Sequence, residues 1–188
     1  MTTIAVTGHI NLTEESVPLV RTALDELLKP YAADGELVGV SCIAKGTDSL
    51  FAEAVLAAGG RLTVVVPSQD YRRNKVRPDH APLFDRLVEA AEEVLVLPIE
   101  TADRQAYEAA NAVLVERADL LVAVWNGEPP TGWGGGTADT VLEAQAAGVP
   151  VEAVWPEGAA RRSGTRSSGR PRQARPLAAG QGRPRRPR

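Results

Sequence analysis

One cysteine in 188 residues excludes a disulfide scaffold and any zinc site built on thiolates. No apolar run approaches the ~18 residues that a membrane-spanning helix needs. The N-terminus, Met1-Thr2-Thr3-Ile4-Ala5-Val6, has neither the positive region nor the long apolar core of a signal peptide, so a reducing cytoplasm is the expected compartment. A Walker pattern is missing, and Gly8 is not followed by the G-x-G-x-x-G spacing. An ordinary nucleoside triphosphatase and a dinucleotide-dependent enzyme are both unsupported, and no metal or cofactor is implied.

Acidic residues are missing altogether after Glu157. The formal charge of −3 therefore hides two regions of opposite sign, with −13 over residues 1–158 and +10 on the remainder. The change in composition predicts a boundary, with a folded domain over 1–157 and a tail over 158–188. The tail is built mainly from Arg, Gly, Pro, Ser and Ala, with Leu177 its one large apolar residue. It has too little apolar surface to offset the entropy of ordering, so it is expected to be disordered. Two readings of it stand. It is an arginine-rich arm that contacts nucleic-acid phosphates, or a solvated tail; the lack of base-stacking aromatics favours the second.

The acidic body alternates short β-branched runs with amphipathic stretches. Strands are read at Ile4–Val6, Leu37–Val40, Leu62–Val66, Val94–Leu97, Leu120–Val124 and Val149–Val154. The first helix is read from a Thr13 cap with Glu14 and Glu15 in its first turn, carrying the stripe Val17, Val20, Leu24, Leu27, Leu28 and Tyr31. Further helices are read on the stripe Leu50, Phe51, Ala54, Val55 and Ala58, ended by Gly59-Gly60, then from Pro82, over Ala102–Arg117 and over Thr137–Ala147. Strands that are apolar throughout, separated by amphipathic helices, predict a doubly wound α/β domain: a mostly parallel sheet with helices on both faces, Rossmann-like. Ligands of such sheets sit outside the carboxyl ends of the strands.

Three loops at that edge are rich in glycine and small polar residues: Thr7–Asn11, Ser41–Asp48, and Asn126–Thr137 with its run Gly134-Gly135-Gly136-Thr137 at a helix start. Glycine lets backbone N–H groups approach a phosphate, and a helix N-terminus adds a favourable field. A fourth segment, Gln69–Arg77, holds four of the eleven cations of residues 1–158. Its Arg72 and Arg73 suit a phosphate-contacting lid, against the alternative of a solvated basic loop. His9 is a phosphate contact or an ordinary turn histidine. Lys45 is a phosphate ligand or a surface lysine, and Asp48 is a helix cap or a ribose ligand. Among the aromatics, Trp133 is the candidate to stack on a base.

Val40-Ser41-Cys42-Ile43-Ala44-Lys45-Gly46-Thr47-Asp48, with Ala52–Ala58, Gly59-Gly60 and Val64-Val65-Val66-Pro67, resembles the core signature of the SLOG superfamily. That superfamily includes the DprA/Smf DNA-processing proteins and the LOG phosphoribohydrolases. The Gly8-His9 turn and the Gly135-Gly136-Thr137 helix start resemble its other two motifs, and the likeness spans roughly residues 3–155. It implies a Rossmann-like fold that binds a nucleotide or nucleotide-derived ligand. The chain departs from the LOG motif where a catalytic glutamate would stand, since Thr140 occupies that place. Asp139 and Glu143, four residues apart on one helix face, are the remaining candidates for work on a glycosidic bond.

The expected function is therefore binding of a phosphorylated, nucleotide-like small molecule, as in a sensor domain. Its competitors are N-glycosidic hydrolysis of a nucleoside 5′-monophosphate and DprA-like binding of single-stranded DNA. A body at −13 opposes the last, leaving nucleic acid to the basic tail. No membrane partner is expected, and homo-oligomerisation is suggested by analogy with the superfamily alone.

Overall fold

The computed structural model describes residues 1–162 except Asp34, Thr131 and Trp133. The expectations made for Trp133 and for most of the arginine-rich tail therefore lie outside the described residues.

Six strands and six helices follow in the order β1 (Thr2–Gly8), α1 (Ser16–Ala32), β2 (Leu37–Ser41), α2 (Thr47–Ala57), β3 (Arg61–Val66), α3 (Tyr71–Asn74), α4 (Ala81–Ala90), β4 (Glu93–Val96), α5 (Arg104–Arg117), β5 (Leu120–Val124), α6 (Thr137–Ala146) and β6 (Val151–Val154). The strands form one sheet in the order β4-β3-β2-β1-β5-β6, and every pairing is parallel. Strand order reverses between β1 and β5, where Ile4 pairs with Leu120 and Gly8 with Val124. This is the doubly wound, parallel, Rossmann-like α/β architecture predicted from the apolar runs.

Alternation along the strands divides the core in two. Ile4, Val6, Val122 and Val124 pack beneath α1 and α2, and Leu62, Val64 and Val66 beneath α2 and α4. Ala5, Val40, Val65 and Leu121 face the opposite way, onto α5 and α6. Both faces of the central strands are thus dry, which is why their sequences read as unbroken apolar runs. The edge strand β4 is different: Val94 and Val96 are exposed.

The first helix departs from its expected start. Thr13–Glu15 form a turn, closed by a bond from Ser16 N–H to the Thr13 carbonyl at 3.1 Å, and α1 begins at Ser16 with no acidic residue in its first turn. The cause lies outside the helix. Ser16 is fully buried, accepts from Ala160 N–H at 2.7 Å, and shares a hydrogen bond with the Thr13 hydroxyl at 2.7 Å. Thr13 N–H in turn donates to the Ala160 carbonyl at 3.0 Å. The chain after β6 thus folds back onto the β1–α1 loop, and Arg161 forms an antiparallel bridge with Leu12. Packed structure continues five residues past Glu157, where the charge changes sign.

Candidate functional site

A cleft of about 610 Å³ opens at the carboxyl ends of β1, β2, β3 and β5. It straddles the point where strand order reverses, the position at which open α/β sheets take their ligands. Its floor and walls come from four connections.

The β1–α1 and β2–α2 loops are stitched together. Thr47 Oγ1 donates to the His9 carbonyl at 2.9 Å, and Thr47 N–H approaches the same oxygen at 3.4 Å. Only glycine fits at two places in this seam. A Cβ on Gly8 would lie 2.4 Å from Thr47 Cγ2, and one on Gly46, whose φ is +93°, would lie 2.8 Å from the Ile10 carbonyl oxygen. Gly8 lines the cleft, whereas Gly46 lies behind its wall. His9 is buried against the edge of Trp155, with Nε2 3.0 Å from Asn126 Oδ1. Burial is the main influence on its ring and pushes the pKa below the ordinary histidine value, so His9 presents a neutral ring to the cleft.

Asp48 stands on the floor, in the first turn of α2, partly open to the cleft and packed on its other sides. Loss of hydration pushes its carboxyl up to about 7, against a hydrogen bond from the Ala44 backbone that pulls the other way. Beside it, burial raises the thiol of Cys42 well above its usual value, which leaves that cysteine a thiol rather than a nucleophile. Between Cys42 and Ala44 the backbone is strained: Ile43, a β-branched residue, sits at φ +48°. Its carbonyl is held by Ser49 Oγ at 3.1 Å and by His80 Nε2 at 3.0 Å. Two buried polar side chains therefore fix the turn that supports Lys45 and Asp48.

The β3–α4 connection carries the basic segment. Tyr71 begins the short α3 and packs against Phe84 and Tyr107, so it faces the cleft with an apolar body. Lys75 and Arg77 line the cleft; Arg72 and Arg73 do not. Arg72 makes a two-pronged bond to Asp85, at 2.5 and 2.6 Å, on the outer side of α4, and Arg73 donates to Asn74. The reason is helical geometry: Tyr71 takes the inward face of α3, which leaves the next two residues outward.

The fourth wall is the end of the β5–α6 loop. Gly135, Gly136, Thr137 and Asp139 line the cleft, Gly134 packs on the Arg104–Glu108 ion pair outside it, and Glu143 is not among the lining residues. Asp139 Oδ2 accepts from Gly136 N–H at 3.0 Å, capping α6. Asn111 Nδ2 donates to the Gly135 carbonyl at 3.3 Å and anchors the loop to α5. Arg161 closes the rim, bonded to Glu128 at 2.8 Å and Asn11 at 3.1 Å.

Several lining residues carried no individual signal in the sequence. Tyr107 and Asn111 belong to a helix with no glycine or charge motif, and His80 precedes a helix as an isolated histidine. Lys75 and Arg77 were visible only as members of a basic run, whose inward and outward faces the sequence does not distinguish.

Fold and cleft together define a Rossmann-like α/β domain, with a ligand-sized cleft at the switch point. Among solved structures, DNA processing protein A (DprA) from Streptococcus pneumoniae is similar at TM-score 0.60 and 20% identity over 81% of this chain. DprA from Helicobacter pylori, described with a single-stranded DNA binding mode, follows at 0.57 and 18% over 81%. The molybdenum cofactor binding protein from Rippkaea orientalis has TM-score 0.52 and 18% identity over 81%. The chain spans half the length of the first, 64% of the second and 75% of the third. No protein-family model matches the sequence, and no curated protein matches it significantly. No helix among the described residues is long and apolar enough to cross a membrane.

Proposed function

We propose that the chain binds a nucleotide or nucleotide-derived phosphorylated small molecule in this cleft, as a binding or sensor domain. The observation that carries the reading is one cleft, straddling the switch point, that is lined both by the first turn of α6 and by the cations Lys45, Lys75, Arg77 and Arg161. Unpaired N–H groups in a helix's first turn and its positive field favour an anion. In residues 1–162, whose formal charge is −11, a local excess of cations is what admits such a ligand. The volume, about 610 Å³, lies in the range of small-molecule and cofactor sites. Tyr71 and Tyr107 offer apolar surface for a base, and Asp48 and His9 offer polar atoms for a ribose. With its proton half retained near pH 7, Asp48 can donate to or accept from a sugar hydroxyl.

Of the two carboxylates named for the competing hydrolase reading, Asp139 is engaged as the α6 cap and Glu143 lies off the cleft, which favours binding over hydrolysis. Single-stranded DNA binding, as described for the Helicobacter DprA, is opposed by the acidic body.

Thermal-shift and calorimetric titration of the full chain with nucleoside mono- and diphosphates tests the reading, using Thr137→Asp as the control. A carboxylate at this half-buried first-turn position suits the helix N-terminus, so stability should hold or rise while nucleotide affinity falls tenfold or more. A flat titration would refute ligand binding, and release of free base would replace binding with hydrolysis.

A further inference from the structure

The cations of the cleft are not spread evenly. Lys45, from the β2–α2 loop, and Lys75 and Arg77, from the α3–α4 connection, gather at the end over β2 and β3. The glycine run and α6 lie over β5. At ~4.8 Å between neighbouring strands, β5 and β2 are about 10 Å apart. A phosphate seated on the N-terminus of α6 is therefore centred two strand spacings from the cationic end.

The cationic end already holds an anion, supplied by the chain. Asp79 pairs with Lys45 and lies 3.7 Å from Arg77 Nε. The Lys45 bond is the main reason that its carboxyl is held below the ordinary value, so Asp79 is ionised at neutral pH. Lys75 makes no ion pair among the described residues. The backbone beneath is fixed, because Ala81 and His80 N–H both donate to the Arg77 carbonyl, at 2.9 and 3.0 Å, and buried His80 is anchored on Ile43. Above that base the side chains are free to exchange partners: Lys45 and Asp79 are each 54% exposed and Arg77 is 82% exposed. An exposed carboxylate pair is held weakly, and a phosphoryl group with more charge and three acceptor oxygens outcompetes it.

We propose that Lys45, Lys75 and Arg77 form a second anion subsite, with the Asp79 carboxylate as its resident stand-in, and that the ligand carries two separate phosphoryl groups, as a nucleoside 3′,5′-bisphosphate does on the two sides of its ribose. This rests on the nucleotide reading above for the ligand's identity, but not for the subsite. Asp79 sets specificity by excluding weakly charged ligands: only a group that displaces it gains the three cations.

The test titrates the full chain, Asp79→Asn, and the double variant Lys45→Gln/Arg77→Gln with three probes. These are adenosine and guanosine 5′-monophosphates, the matching 3′,5′-bisphosphates, and inorganic pyrophosphate. In the unaltered chain a bisphosphate should bind at least tenfold tighter than its monophosphate. Asp79→Asn should tighten bisphosphate and pyrophosphate binding a further three- to tenfold and leave the monophosphate unchanged. The double variant should erase the bisphosphate advantage. Equal affinity for mono- and bisphosphate overturns the proposal, as does weaker bisphosphate binding in Asp79→Asn, which would make Asp79 a mere tether. Should pyrophosphate respond as stated while no nucleotide binds, the subsite stands and the nucleotide reading falls. Pyrophosphate binding that is identical in all three proteins removes the subsite whatever the nucleotides do.

Discussion

Asp48 makes the domain sensitive to pH. Its carboxyl titrates at about 7 in the folded chain, against 3.8 for an ordinary aspartate. The folded state therefore holds the proton more tightly than the unfolded state does. Stability from this group is complete below about pH 4 and drains away as pH rises through 7, by up to about 4 kcal/mol at roughly 1.4 kcal/mol per pH unit. An Asp48→Asn variant keeps an acceptor for the Ala44 N–H but has no charge to desolvate. It should be more stable than the parent at pH 8 and nearly equal to it at pH 4, as read by urea unfolding. An unchanged pH profile would show that Asp48 is well hydrated. His9 acts in the opposite sense: its lowered pKa costs stability as pH falls below about 6.5.

At the scale of elements, the seam between the β1–α1 loop and α2 is the most constrained contact around the cleft. Gly8→Ala brings a methyl group within 2.4 Å of Thr47 Cγ2, and Thr47 cannot withdraw because its hydroxyl is bonded to the His9 carbonyl beneath α2. The substitution should cost about 1–3 kcal/mol. It should also weaken ligand binding, because Lys45 and Asp48 ride on the displaced loop; a melting temperature within a degree of the parent would contradict this. Elements of this kind were legible in the sequence wherever burial decided them. The runs Val64-Val65-Val66 and Leu120–Val124 are apolar because both sheet faces are covered, and Gly59-Gly60 marks the end of α2. Legibility ended where a long-range partner decided. The start of α1 is set by Ala160 on Ser16, some 144 residues away, and no cap rule at Thr13 could anticipate that. Tyr71 takes the inward face of α3 through its contacts with Phe84 and Tyr107, and Arg72, left outward, is paired by Asp85 on a different helix. At the site, glycine loops were readable from their turns, whereas Tyr107, Asn111 and His80 join it only through the packing of α4 and α5.

For the whole molecule, the segment 159–162 is part of the domain. A chain ending after Arg162 keeps every contact of this segment among the described residues. Ending it after Gly158 removes the bonds of Ala160 to Thr13 and Ser16, that of Arg162 N–H to the Asn11 carbonyl at 2.7 Å, and the Arg161–Glu128 pair. It leaves a buried hydroxyl with one partner fewer. The shorter protein should lose about 2–4 kcal/mol in denaturant unfolding. Equal midpoints for the two would mean that this segment contributes nothing to the fold. The same comparison separates the charge of the packed body, which includes Arg161 and Arg162, from that of the arginines beyond.

The β1–β5 pairing has a consequence for how the protein comes to exist. Ile4 meets Leu120 only after more than a hundred intervening residues have been gathered in, and a wholly parallel sheet has no hairpin from which to begin. Loop-closure entropy places that docking late on the route to the native state. The cleft lies across this join, so its two halves should become a pocket only once the join has formed. A molecule that binds there arrives too late to hasten folding. It acts as a brake on unfolding, lengthening the life of each native chain without changing how quickly a new one is born.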